Sequence, residues 1–208
     1  METLRTPPDR FAGLPEFGYE PHYADVPDGT GGTGGTGGTG GTGGTLRMAW
    51  VEDGPADGEP VLLLHGEPSW SFLYRRMIPP LAAAGLRAIA PDLVGFGRSD
   101  KPADRGEHSF ARHVEWVRAL VEDVLDLRGV TLVGQDWGGL IGLRLAAEHP
   151  DRFARLVLAN TGLPTGDHPM PQIWHQFKQA VETAPQLDVG RFVQAGCRQP
   201  MSEEARRA

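Results

Sequence analysis

The feature that most constrains the fold is a glycine-flanked aspartate between a strand pattern and a helix pattern. The segment GQDWGG at residues 134–139 follows the apolar, β-branched run Val130–Val133 and precedes a helical pattern over residues 140–148. Small residues two positions before and after Asp136 suit a tight strand-to-helix turn, because larger side chains would clash there. The sequence therefore predicts a sharp turn that lifts the Asp136 side chain above the end of a sheet.

Asp136 also fits a simpler role, as the N-cap of the helix that follows. An N-cap does not require small neighbours, so Gly134 and Gly138 favour the sharp turn. A strand, a glycine-flanked residue and a helix together make the nucleophile elbow of α/β hydrolases. A carboxylate at the elbow favours displacement at a saturated carbon or an epoxide, through a covalent ester, over ordinary ester cleavage.

The rest of the chain alternates short apolar runs with helical patterns. The runs are Val61–Leu64, Arg87–Ala90, Val130–Val133 and Leu156–Ala159. Between the second and third, residues 110–127 carry apolar side chains at three- and four-residue steps, which indicates a helix with one buried face. This alternation predicts a mostly parallel sheet with helices on both sides. Together with the elbow at Asp136, it leads us to expect an α/β-hydrolase fold. We expect residues 1–160 to form its core and residues 161–208 to begin a helical cap, with the C-terminal strands missing.

A Thr-Gly-Gly repeat lies within residues 28–45, between strand patterns at His22–Val26 and Leu46–Val51. The tract is predicted to be a long loop inserted in an N-terminal hairpin. A phosphate-binding glycine loop is the alternative, but no Lys-Ser/Thr pair and no helix pattern follow the tract.

Composition narrows the function mainly by exclusion. The formal charge of −7 argues against a nucleic-acid partner, and the single cysteine, Cys197, rules out an internal disulfide framework. The first residues have no apolar signal core, and no apolar stretch reaches the roughly 20 residues of a membrane span. The seven histidines are scattered without paired ligand spacing. We therefore expect a cytoplasmic protein with no metal, no cofactor and no membrane association.

Three segments together carry a family resemblance: HGEPSW at residues 65–70, DLVGFGRSDKP at residues 92–102 and GQDWGG at residues 134–139. The chain resembles a haloalkane dehalogenase, of the branch with Glu after His-Gly, over most of its length outside the repeat. The second segment is general to α/β hydrolases, whereas His-Gly-Glu-Pro and Gln-Asp-Trp-Gly are far more specific.

The resemblance implies a set of site residues and partners. Asp136 would attack the halogen-bearing carbon, and the backbone N–H groups of Glu67 and Trp137 would form the oxyanion hole. The indoles of Trp137 and Trp174 would bind the leaving halide, although Trp174 alone also fits a packing role. A Gly-Pro turn is the simpler interpretation of the loop around Glu67. The expected partners are a small haloalkane, water and halide, and the full-length protein is expected to be a monomer.

Ester hydrolysis needs a histidine base and an acid that orients it, and in α/β hydrolases that histidine comes last in the chain. No histidine follows the expected cap, His65 fits a structural loop role, and Asn160 stands where some relatives place the acid. We expect base and acid to be absent from this chain.

Several alternatives remain open. An epoxide hydrolase also uses an Asp nucleophile but needs cap tyrosines, and residues 161–208 contain none. A fluoroacetate-type dehalogenase would have Arg where Trp137 stands. The non-enzyme alternative is a catalytically inactive fragment or a ligand-binding remnant.

Overall fold

The computed structural model describes residues 1–29 and 43–207, and it divides into two compact units, Met1–Thr161 and Gly162–Ala208. The first unit contains the sheet and its helices. The second contains three helices within the described residues. The sequence-based assignment of residues 161–208 as the beginning of a cap stays a prediction.

The first unit is built on a six-stranded sheet with the order β2-β3-β5-β4-β7-β8. The strands of the chain are β1 Thr3–Leu4, β2 His22–Pro27, β3 Thr45–Asp53, β4 Pro60–Leu64, β5 Arg87–Asp92, β6 Lys101–Pro102, β7 Val130–Gln135 and β8 Phe153–Ala159. Strands β4, β5, β7 and β8 pair in parallel, and the β2–β3 and β3–β5 pairs are antiparallel. Strands β1 and β6 form a separate two-stranded sheet. The predicted, mostly parallel sheet is confirmed.

Within residues 1–29 and 43–207, six α-helices connect or follow these strands: α1 Ile78–Ala83, α2 Phe110–Arg118, α3 Trp137–Glu148, α4 Gln172–Thr183, α5 Val189–Gly196 and α6 Glu203–Arg207. The helix predicted over residues 110–127 is α-helical only to Arg118 and continues as a π-helical segment, Ala119–Val124. There the N–H of Leu125 donates to the carbonyl of Leu120 at 3.0 Å, five residues back. This wider turn changes which side chains face the sheet, and Val124 is exposed.

The core of the first unit lies around the two central strands. All of the side chains from Val61 to Leu64 on β4 are buried, as is Leu132 on β7. Helix α3 packs closely on β7 because Gly142 faces Leu132, where a Cβ would approach the leucine Cγ to 3.2 Å. The outer strand β8 differs, since its apolar side chains are 43–50% exposed at residues 156–158.

The hairpin around the repeat is seen only at its base. Pro27 pairs with Thr45, and the N–H of Asp28 donates to the carbonyl of Gly44 at 3.0 Å. The predicted loop spans residues 28–45, of which residues 30–42 lie outside the described residues. Over the described ranges, no helix has the length and apolar character that crossing a membrane requires.

Candidate active site

Asp136 sits at the turn between β7 and α3 with an unusual backbone conformation. Its φ of 53° and ψ of −124° lie in a region that residues other than glycine rarely occupy. The turn is tight, because a Cβ on Gly134 would come within 2.7 Å of the Gly139 Cα, and a Cβ on Gly138 would overlap the Leu64 carbonyl. The Asp136 side chain makes no capping hydrogen bond to α3. The N-cap interpretation is therefore wrong, and the geometry is that of a strained turn that presents the carboxylate.

The loop after β4 delivers a hydrogen-bond donor to this carboxylate. The main-chain N–H of Glu67 donates to Asp136 Oδ1 at 3.0 Å. Gly66 permits this approach, since a Cβ there would lie 2.8 Å from the Asp136 Cγ. The loop is closed by Ser69, whose N–H and hydroxyl both donate to the Gly66 carbonyl, at 3.0 and 2.9 Å. The segment is thus a turn, as the simpler interpretation held, but one that also aims an N–H at Asp136.

His65 has a structural role in the loop beside Asp136. Its side chain is fully buried, its Nε2 accepts the N–H of Leu93 at 2.9 Å, and its Nδ1 donates to the Gly66 carbonyl at 2.9 Å. These two bonds fix a neutral ring, and burial lowers the pKa of His65 accordingly. The imidazole holds the loop beside Asp136 and has no nitrogen left for proton transfer.

A cavity of about 240 Å³ opens beside Asp136. Its apolar wall includes Leu93, Phe96 and Ile141. Trp137 contributes a ring that is 42% exposed and lies 6.1 Å, centroid to centroid, from Phe110. A small, mostly apolar space next to a carboxylate suits a short organic molecule better than a charged one.

Four polar residues also line this cavity: Glu67, His108, Ser109 and His113. Burial and the nearby Asp136 carboxylate raise the pKa of Glu67. Burial, and then the neighbouring histidines His108 and His65, lower the pKa of His113 to about 4. His113 is therefore neutral at physiological pH, and its ring packs edge-on against Trp116 at 4.9 Å.

The sequence analysis did not identify His108 and His113 as cavity residues. The Nε2 of His108 donates to the Pro102 carbonyl at 3.0 Å, which fixes that ring at the loop before α2. His113 follows Phe110 by three residues, so the helical period puts both on one face of α2. The three-residue spacing could have indicated this shared helix face. Only the packing of α2 beside α3, however, makes that face part of the cavity.

Trp174, the second predicted halide-binding residue, lies on α4 in the second unit. Its ring is 37% exposed, lies 5.0 Å from the ring of His175, and is covered by the Lys178 ammonium at 5.6 Å. Its role at the Asp136 cavity stays a prediction. So does the absence of a base and an acid, because His108 and His113 stand in the cavity.

Comparison with known proteins identifies the family. The family model for the alpha/beta hydrolase fold matches residues 59–206. The chain belongs to the α/β-hydrolase fold family.

Within that family, the chain is similar to haloalkane dehalogenases. Curated relatives with that name are 46–51% identical, among them one from Psychrobacter cryohalolentis with 51% identity over 94% of this chain and 60% of its own length. The chain thus spans about three fifths of the length of the curated relatives that it matches. A tetrameric haloalkane dehalogenase, DpaA from Paraglaciecola agarilytica, has 38% identity and a TM-score of 0.87, covering 100% of this chain and 64% of its own. The epoxide hydrolase CorEH has 27% identity and a TM-score of 0.58, over 78% of this chain and 50% of its own.

Proposed function

We propose that the whole protein hydrolyses haloalkanes to an alcohol and a halide ion, through an alkyl ester on Asp136. One observation carries the proposal. A carboxylate is presented on a strained turn, with Oδ1 bonded to the Glu67 N–H, beside a small and mostly apolar cavity. The similarity to haloalkane dehalogenases supports the same chemistry.

The first step follows from the two carboxylate oxygens. Because Oδ1 accepts the Glu67 N–H, Oδ2 is the better placed to attack the carbon that bears the halogen. The new C–O bond forms as the carbon–halogen bond breaks, and the halide leaves with the bonding pair. A desolvated halide is costly, so we assign the indole N–H groups of Trp137 and Trp174 to stabilise it.

The second step is attack of water on the carboxyl carbon of the ester. The Glu67 N–H already bonds Oδ1, and together with the Trp137 N–H it would stabilise the oxyanion that forms there. The water must lose a proton, which requires a base. We assign this base, and the acid that orients it, to residues outside positions 1–208, since His65 is committed to the backbone. His113 is the competing candidate, because it is neutral and lines the cavity.

The assignment predicts a stable covalent ester on residues 1–208. Displacement needs no base, whereas hydrolysis does, so exposure to 1-bromobutane should leave one butyl group on Asp136. Intact-mass spectrometry and peptide mapping would detect it, and Asp136→Asn should show no adduct at that position. Loss of the adduct with several bromide ions released per chain would contradict the missing base. If His113→Phe then restored a persistent adduct, the base would be His113.

An epoxide hydrolase is the second candidate, supported by the structural similarity to CorEH. That chemistry needs an acid, commonly a phenol, to protonate the epoxide oxygen. The chain has three tyrosines, and none lines the Asp136 cavity. Tyr74 is buried, and its hydroxyl donates a hydrogen bond to the Leu64 carbonyl at 2.7 Å. Tyr19 and Tyr23 line a different pocket. An ester formed with styrene oxide but not with 1-bromobutane would favour this candidate.

We propose that the whole protein acts without a metal or cofactor, in the cytoplasm, as a monomer. The similar DpaA is described as tetrameric, so the oligomeric state is best measured by light scattering on the purified protein.

A further inference from the structure

A second pocket lies in the first unit, between the N-terminal segment and strands β2 and β3. Its volume is about 420 Å³, against about 240 Å³ for the cavity beside Asp136, and the two share no lining residue. The proposed dehalogenation gives this second pocket no role.

One wall contains a buried arginine surrounded by aromatic rings. Arg98 is 9% exposed, and its Cζ lies 4.8 Å from the ring centre of Phe11 and 5.3 Å from those of Phe17 and Trp70. Its Nη1 has no hydrogen-bond partner within residues 1–29 and 43–207. Burial lowers the pKa of Arg98, and the acidic groups of Asp92, Tyr23 and Glu20 counteract this only in part. Arg98 is thus a largely desolvated cation that lines the pocket, with its Nη1 enclosed by the protein.

A second guanidinium of the pocket is only loosely neutralised. Arg47 stacks on Tyr23, with its Cζ 4.3 Å from the ring centre. Its Nε lies 3.9 Å from Asp100 Oδ1, whereas Arg5 bonds the same carboxylate at 2.7 and 3.2 Å. The Nε of Arg47 also has no hydrogen-bond partner among the described residues. The pocket lining therefore contains two arginines and one carboxylate, Glu20.

We propose that this pocket binds a small organic carboxylate with an apolar tail. The anion would lie against the guanidinium groups of Arg98 and Arg47, which both line the pocket, because a guanidinium presents planar paired donors that match a carboxylate. The tail would pack against the rings of Phe11 and Tyr19, which also line the pocket. A single negative charge suits the pocket better than the double charge of phosphate, since Glu20 repels both.

The test uses the whole 208-residue chain and the probe 4-fluorobenzoate, followed by ¹⁹F NMR. Saturable binding is expected, with 4-fluorobenzamide, the neutral isostere, at least about tenfold weaker because it lacks the charge. Inorganic phosphate should displace the probe poorly. Equal binding of the benzoate and the benzamide would show a merely apolar pocket, and efficient displacement by phosphate would show a general anion site. The absence of saturable binding would overturn the proposal outright.

Two variants and a matched control locate the site. Arg98→Met should weaken 4-fluorobenzoate binding at least about tenfold, since it removes one of the two guanidinium groups that line the pocket. Arg75→Met is the control, because Arg75 also stacks on an aromatic ring, that of Phe72 at 4.1 Å, but lies outside the pocket. Equal weakening by both variants would contradict the assignment.

Glu20→Gln provides a test that does not depend on folding of the Arg98 variant. Glu20 is exposed, so the substitution leaves the core intact, and it removes a repelling charge. Binding of 4-fluorobenzoate should tighten about threefold, the scale of one screened charge. Unchanged or weaker binding would show that the anion does not sit beside Glu20.

Discussion

The two units of the chain use the same kind of amphipathic helix but differ in what they bury. In the first unit, α2 packs beside α3 and buries Val114, Trp116 and Val117. In the second unit, α4 and α5 carry apolar residues at similar spacing, yet none of residues 162–206 is buried. Ile173 is 70% exposed and Phe177 49% exposed. Periodicity thus predicts that a helix has an apolar face, whereas burial needs a second layer to cover that face.

The largest expected effect is on the free energy of unfolding, when one core residue and one residue of the second unit are each replaced by Ala. Leu132 is fully buried on β7, so Leu132→Ala should lower the free energy of unfolding by about 2–5 kcal/mol. The ring centre of Phe177 lies 5.8 Å from that of Phe192, but Phe177 is half exposed. Phe177→Ala should therefore lower the free energy of unfolding by only about 1 kcal/mol or less. Urea denaturation would measure both. Similar losses would mean that the second unit has a core comparable to the first.

The next test asks whether the two units share a ligand. Trp137 is in the first unit and Trp174 in the second, and both are assigned to one halide ion. Bromide or iodide should then quench tryptophan emission saturably, and Trp174→Phe should weaken that binding by about 1–3 kcal/mol, the cost of a donor lost from a buried anion. Trp50→Phe is a suitable control, because Trp50 stacks on His22 in the sheet. Unchanged halide binding in Trp174→Phe would return Trp174 to a packing role.

The sequence predicts the fold of this protein more completely than it predicts the candidate site. The strand patterns located all six strands of the main sheet, because β-branched runs bounded by turn residues report a local preference. The glycines around Asp136 located the elbow for a similar reason, since only small residues fit so tight a turn. His108 and His113 were missed because their place in the cavity depends on how α2 packs beside α3. The change to π-helical winding after Arg118 was missed too, since the apolar spacing continues through it.

A smaller effect should separate the partly buried His113 of the first unit from the exposed histidines of the second. The pKa of His113 is lowered from 6.5 to about 4, so the unfolded chain takes up its proton first as the pH falls. The contribution of His113 to the free energy of unfolding is fully present above pH 6.5 and declines as the pH falls from 6.5 towards 4. The loss should be about 2 kcal/mol after allowance for solvent screening.

His113→Phe should flatten this part of the stability curve, measured by urea denaturation between pH 7 and pH 4. His175→Gln is the control, because His175 is exposed on α4. An unchanged slope in His113→Phe would assign the acid sensitivity to another group.

The smallest expected effect concerns the Thr-Gly-Gly tract, which interrupts the first unit without a counterpart in the second. The ends of β2 and β3 are already joined by the Pro27–Thr45 pair and the bond between Asp28 and Gly44. Deleting residues 31–42 removes four repeats and shortens the loop between those ends. Loop-closure entropy grows only with the logarithm of length, so the deletion should stabilise the chain by about 1 kcal/mol or less.

Val26→Ala is the matched comparison for this deletion, since Val26 is fully buried on β2 beside the same loop. It should destabilise the chain by about 1–3 kcal/mol, because it leaves a cavity in the core. Both changes can be measured by the midpoint of urea denaturation. If the deletion destabilised the chain as much as Val26→Ala, the tract would have to make stabilising contacts of its own and could not be a passive loop.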